Sequence, residues 1–219
     1  MEYREPMATD PGEIEKLSMR IIREELAESG RFLPDDADEG EVREKIVLRV
    51  IHATADLEYA DTMAFSDHAV TRIQAAIREG ARIVTDTNMA LSGVSRKSLA
   101  RFGGEAVCFM ADPDVAKEAK RRGITRAAVS MERAERLPGK SVFAIGNAPT
   151  ALIRLKELID AGYRPAGVIG VPVGFVNVEY AKELIMETDV PWIVNRGRKG
   201  GSGVAAAICN AILYDMQAD

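Results

Sequence analysis

The chain has 219 residues, 47% of them apolar, a net charge of −5 and a pI near 5.3. That length supports one sizeable core, and no Pro/Gly/Ser-rich linker divides it, so a single domain over 1–219 is expected, with 1–10 a loose arm. The acidic balance gives no electrostatic footprint for nucleic acid. No apolar run approaches the ~20 residues of a membrane span and the N-terminus lacks a signal peptide's apolar core, so a cytoplasmic protein is predicted, with neither membrane nor nucleic-acid partners. Cys108 and Cys209 lie in apolar runs without metal-site spacing and read as reduced, buried thiols.

The first helix is predicted from Pro11, with Asp10 as N-cap and Glu13 in the first turn. Its apolar stripe runs Ile14, Leu17, Ile21, Ile22 and Leu26, and Ser18 falls inside it. A hydroxyl there either back-bonds to the carbonyl four residues earlier or meets a ligand packed on that face. A polar acidic linker over 34–41 leads to a second helix, about Glu41 to Ala55, and Ser66 to Glu79 reads as a third, capped by Ser66 and stopped at Gly80.

From Ala81 the character changes. Strand-like runs at Ala81 to Asp86, Ala106 to Met110, Ala127 to Val129, Ser141 to Ile145, Gly167 to Val171 and Trp192 to Val194 alternate with helical patterns at Asp112 to Arg122, Thr150 to Ala161, Asn177 to Glu187 and Gly203 to Met216. Such alternation argues for βαβ units and a parallel sheet covered on both faces, with ligands beyond the carboxyl ends of the strands. The run at Ala127 to Val129 is the weakest of the six.

Three strand ends carry distinctive loops: Ile145-Gly-Asn147-Ala-Pro-Thr150, then Gly170-Val-Pro-Val-Gly174-Phe-Val-Asn177, then Asn195-Arg-Gly-Arg198-Lys199-Gly-Gly-Ser202-Gly203. Each runs into a helix and aims backbone N–H groups at one rim, Asn177 being available as a cap. The third adds Arg196, Arg198 and Lys199, which suit an anion with several carboxylates or phosphates. Neither Gly-x-x-x-x-Gly-Lys-Ser/Thr nor Gly-x-Gly-x-x-Gly is present, so nucleotide binding is not indicated.

Of two histidines, His68 reads as a solvent-exposed first-turn residue, whereas His52 stands three residues after Arg49 on a mostly apolar helix. One side chain can hold a negative group while the other exchanges a proton beside it. A satisfied core histidine is the commoner reading, and a metal reading through Asp56, Glu58 and Asp61 is weak because no second His or Cys lies nearby.

Together the motifs Ile-Glu-x-x-Ser at 14–18, Arg-Val-Ile-His-Ala-Thr-Ala-Asp at 49–56, Asp-Thr-Asn-Met at 86–89, Ile-Gly-Asn-Ala-Pro-Thr-Ala-Leu at 145–152, Gly-Val-Pro-Val-Gly-Phe-Val at 170–176 and Gly-Arg-Lys-Gly-Gly-Ser at 197–202 resemble the precorrin-8X methylmutase family of cobalamin biosynthesis, in order over nearly the whole chain. The resemblance implies an α/β fold, a three-layer α/β/α sandwich with a mainly parallel five-stranded sheet preceded by N-terminal helices. It also implies a homodimer with sites at the interface and an isomerase that moves a ring-C methyl group of a tetrapyrrole from C-11 to C-12, giving cobyrinate or hydrogenobyrinate. The family's catalytic histidine matches His52, and its substrate-contacting residues match Ser18, Arg49 and Arg126. With the rim, the expected substrate-binding set is Ser18, Arg49, Arg126, Asn147, Thr150, Gly174, Arg198, Lys199 and Ser202, with no metal and no cofactor. The stretch Thr54 to Asp61 looks more like the branch acting on the cobalt-containing substrate. A tetrapyrrole carrier without chemistry is the alternative.

Overall fold

A computed structural model describes residues 9–31, 33 and 38–217. Residues 1–8 of the arm and 34–37 of the acidic linker therefore lie outside the described part. The described chain runs α1 (Pro11–Glu28), α2 (Gly40–Thr54), α3 (Tyr59–Thr62), β1 (Met63–Phe65), α4 (Ala69–Arg78), β2 (Arg82–Thr85), α5 (Asn88–Gly93), α6 (Arg96–Ala100) and β3 (Ala106–Val107). It continues through α7 (Pro113–Arg122), α8 (Arg126–Glu135), β4 (Ser141–Ile145), α9 (Pro149–Asp160), β5 (Gly167–Gly170), α10 (Val178–Met186), β6 (Trp192–Asn195) and α11 (Ser202–Asp215).

The sheet has the order β1-β6-β5-β4-β2-β3. β2 to β6 pair in parallel, and β1 closes one edge antiparallel to β6, with Met63 opposite Asn195. Alternation along the strands assigns each face its helices, because successive side chains point to opposite sides. Ile83, Val142, Ala144, Ile169 and Ile193 pack under α2, α4 and α11. Val84, Phe143, Ile145, Val168 and Val194 pack under α8, α9 and α10. With both faces covered, the strands need apolar residues at every position, which is why they read as continuous runs. Each large side chain so buried contributes about 1.5–3 kcal/mol.

Several expectations are corrected. Ala127 to Val129 is the first turn of α8, whose N-cap Thr125 accepts from Ala128 N; the alanines around Val129 suit a helix better than a strand. β1 was not foreseen, because three residues carry no readable period. α4 begins at Ala69, not Ser66: Ser66 Oγ accepts from Trp192 N at 3.0 Å instead, and His68, in the left-handed region at φ 52°, is the N-cap residue rather than a first-turn one. Asn177 also sits left-handed, at φ 59°, and its side chain makes no cap bond. Cys108 is only half-buried; Cys209 is buried, which pushes its thiol up to about 12.

Asp10 caps α1 as expected, accepting from Gly12 N and Glu13 N at 3.0 and 3.1 Å. No described helix is long and apolar enough to cross a membrane.

Candidate active site

Strand order reverses between β2 and β4, since the chain steps from β2 to β3 on one side and then returns to build β4, β5 and β6 on the other. The carboxyl ends of those two strands mark the switch point, the usual ligand position in an open α/β sheet. Asp86, directly after β2 and fully buried, spans it: Oδ1 accepts from Gly146 N at 2.9 Å, while Oδ2 accepts from Asn147 N and Ala148 N at 2.8 and 2.6 Å. Burial pushes its carboxyl above the usual carboxylate range against the pull of these three donors. The carboxylate fixes the Asn147 turn.

That turn lies against the start of α11. A Cβ at Gly146 would meet Gly201 O and the Ser202 Cα, each at 2.7 Å, so only glycine fits. Ser202 Oγ bonds Thr87 Oγ1 at 2.7 Å, and Thr87 in turn caps α5 by accepting from Ala90 N. On the other side, Thr150 in the first turn of α9 bonds Thr125 Oγ1 at 2.9 Å, and Thr125 is followed by the exposed Arg126. Ser202, Asn147, Thr150 and Arg126 thus lie on neighbouring loops and helix starts, held by the Thr87–Ser202, Asp86–Asn147 and Thr125–Thr150 bonds, while Arg126 itself donates to Met110 O at 3.4 Å.

The cations are distributed differently from the sequence expectation. Lys199 does not stand free: it pairs with Asp56 at 2.5 Å and Glu58 at 2.6 Å, in the segment just beyond α2. The pair holds Asp56 below the usual carboxylate range and raises Lys199. Arg198 lies 3.4 Å from Glu179 and stacks on Phe175, next to Gly174. Asp61 is taken by Arg31 at 2.7 Å, and among the described residues no group of acids and imidazoles converges as a metal site. Arg196, exposed and without an ion pair among the described residues, is the loop cation best placed to meet an outside anion. It stands beside the expected Arg198 and Lys199.

Lys199 also ties the rim to His52, which lies in the last turn of α2 four residues before Asp56. Ser18, Ile21 and Ile22 of α1 face Ile51, His52 and Leu57 across an open cleft of about 260 Å³. His52 is exposed there, so the buried-core reading of this imidazole is set aside. Ser18 Oγ donates to Ile14 O at 2.8 Å, the ordinary back-bond, yet still lines the cleft. Arg49 does not line it: its guanidinium pairs with Glu15 at 2.6 Å and lies over the Tyr214 ring, one turn further along the α1/α2 seam.

Residues 13–215 match the precorrin-8X methylmutase family. The chain is 44% identical over 209 residues to the cobalt-precorrin-8 methylmutase of Salmonella typhimurium, covering 94% of this chain and 96% of that one. It is 41% identical over 178 residues to the precorrin-8X methylmutase of Pseudomonas aeruginosa, covering 80% and 85%. The crystal structure of precorrin-8X methylmutase from Thermus thermophilus superposes with a TM-score of 0.80 at 40% identity, covering 92% of this chain and 96% of that one. The chain belongs to the precorrin-8X methylmutase family, the isomerases of cobalamin biosynthesis.

Proposed function

We propose that this protein moves the ring-C methyl group of (cobalt-)precorrin-8 from C-11 to C-12, with His52 as the proton donor and acceptor. The observation that carries the reading is the cleft in which Ser18 and His52 meet, at the α2 end that Lys199 ties to the rim. In the rearrangement the C-11–methyl bond breaks as the C-12–methyl bond forms, so atoms and electrons balance within the substrate. A proton placed on the macrocycle adjusts its conjugation for the shift and is recovered afterwards. Imidazole, whose ordinary pKa is about 6.5, suits both steps at neutral pH. General acid help of this kind supplies about 10²–10⁴ in rate.

The carboxylate arms of such a substrate have partners along the rim: Arg196 and Arg126, the amino end of α11, and the first turn of α9 with Thr150. The cobalt-containing substrate is favoured by the pattern at Thr54 to Asp61.

The protein acts as a homodimer with its sites at the interface. At about 260 Å³ the cleft lies below the usual ~300–1,000 Å³ of a ligand pocket and holds only an edge of a macrocycle. A second wall is required. Beside Gly174, Val173, Phe175 and Val176 are 47%, 85% and 76% exposed, an apolar surface suited to a partner subunit.

The deciding experiment follows the visible spectrum of precorrin-8, with and without cobalt, mixed anaerobically with wild type and His52→Ala. Conversion to the corrin by wild type alone is expected. A His52→Ala rate above about a tenth of wild type removes His52 from the mechanism, and binding without conversion by wild type would leave a carrier.

A further inference from the structure

α10 carries a lysine inside its apolar stripe. Val178, Ala181 and Ile185 are buried on one side of the helix, and Lys182 stands among them at 1% exposure. A buried ammonium needs its protons met, and two carbonyls meet them: Nζ donates to Gly197 O and to Lys199 O, each at 2.7 Å. Both belong to the β6–α11 loop. The carbonyl between them, Arg198 O, accepts from Gly174 N at 3.1 Å, and Asn195 Nδ2 shares Lys199 O at 2.6 Å. Three successive carbonyls thus turn inward onto donors, while the side chains of Arg198 and Lys199 reach Glu179 and Asp56 outside.

This arrangement needs a central donor. Gly197, Gly200 and Gly201 all have positive φ, at 74°, 150° and 137°, so the loop has little intrinsic preference for one shape. Backbone bonds hold its two ends, Arg196 N donating to Thr62 O at 2.8 Å and Gly201 N to Val171 O at 2.9 Å, and a Cβ at Gly200 would stand 2.1 Å from the latter oxygen, so the stretch between them depends on Lys182, Asn195 and the Gly174 amide.

We infer that Lys182 is the positioning residue of the anion-binding loop: by gathering the carbonyls of Gly197 and Lys199, its ammonium fixes the backbone from which Arg196 and the amino end of α11 meet the substrate's carboxylates. The inference rests on the methylmutase reading for the identity of the anion. Burial lowers the ammonium to about 8 against the pull of Glu179 on the same helix.

The test compares wild type with Lys182→Met, which keeps the unbranched stem without the ammonium, with Lys182→Arg, and with Gly200→Ala, which displaces the same loop while leaving Lys182 in place. Steady-state turnover of precorrin-8 gives KM and kcat, and titration with hydrogenobyrinic acid gives product affinity independently of turnover. Lys182→Met is expected to raise KM and the product Kd on the order of 10-fold with kcat within about 3-fold. Gly200→Ala should reproduce that split, and Lys182→Arg should recover part of the affinity. Amide hydrogen exchange over residues 196–202 should quicken in Lys182→Met.

An unchanged KM and Kd in a folded Lys182→Met overturns the inference, as does a fall in kcat at constant KM. Should Lys182→Met fail to fold, Gly200→Ala decides by the same criterion. A wild type that binds hydrogenobyrinic acid but converts nothing would instead sink the methylmutase reading and leave the loop test intact.

Discussion

In the β6–α11 loop, buried polar partners fix the backbone and turn its cations outward; in the α1/α2 cleft, two side chains stand on helix surfaces, and the α1 wall that faces the firmly packed α2 is lightly held. Lys182, Asn195 and the Gly174 amide account for every carbonyl from 197 to 199, and Asp86 does the same for the amides of 146 to 148. α1, by contrast, buries Leu26 alone and is joined to α2 by surface pairs such as Arg23–Glu44 at 2.8 Å and Arg49–Glu15, each worth about 0–1 kcal/mol. The difference separates two tasks. Anion recognition needs donors preorganised in one geometry, whereas a proton-transfer group needs access and a wall that closes once the substrate is present.

If that division holds, substitutions in the two regions should fail in different ways. The largest effect on rate is expected from His52→Ala, a loss of at least about 100-fold in turnover, with the melting temperature nearly unchanged because the imidazole is exposed. Thermal denaturation followed by circular dichroism checks the second half.

Asp86→Asn should do the reverse. An amide cannot accept from three backbone N–H groups with both of its atoms, so at least one buried donor faces an NH₂ group, at a cost of about 1–3 kcal/mol for each orphan. A melting temperature lower by several degrees, on the order of 5 °C, is expected, and a Tm within a degree of wild type would show that the turn is held by packing instead. Because burial raises this carboxyl, its ionised form costs the native state stability above the ordinary carboxylate pKa, and that cost is relieved as pH falls through the raised value. Wild type should therefore lose less stability as pH falls through that raised value than its other carboxylates alone would dictate.

Lys199→Ala should have a smaller effect. It removes the tie between the rim and the α2 end and leaves Asp56 and Glu58 without their cation, so product affinity is expected to fall a few-fold at low salt and less at high salt, read by titration at two ionic strengths. Lys199 lowers the Asp56 carboxyl, so the tie contributes at neutral pH and is lost as pH falls through the lowered value. Ser18→Ala is expected to leave stability within about 0.5 kcal/mol, since its bond to Ile14 O is a local back-bond; a marked rise in KM in that variant would assign the hydroxyl to the substrate.

Much of this could be read before folding. The parallel strands announce themselves as runs apolar at every position, because α2, α4 and α11 cover one face and α8, α9 and α10 the other. The glycine-rich turns at strand ends and the cap at Asp10 are set within a few residues, so local chemistry reveals them. The motifs around His52, Asn147 and Ser202 were legible for the same reason. β1 was not, because three residues pair only where β6 already offers an edge.

The partners of the charges were decided by tertiary structure. Lys199 reads as a free cation until the fold sets it against Asp56 and Glu58, residues more than a hundred positions earlier, and Arg49 until Glu15 and Tyr214 close on it. Lys182 left one local sign, a cation inside the stripe of Val178, Ala181 and Ile185, but its purpose depends on a loop that the chain supplies only after another strand. Periodicity and capping act over a few residues and survive in the sequence; ion pairs and buried hydrogen bonds depend on where distant segments meet, which only the packed sheet and its helices determine.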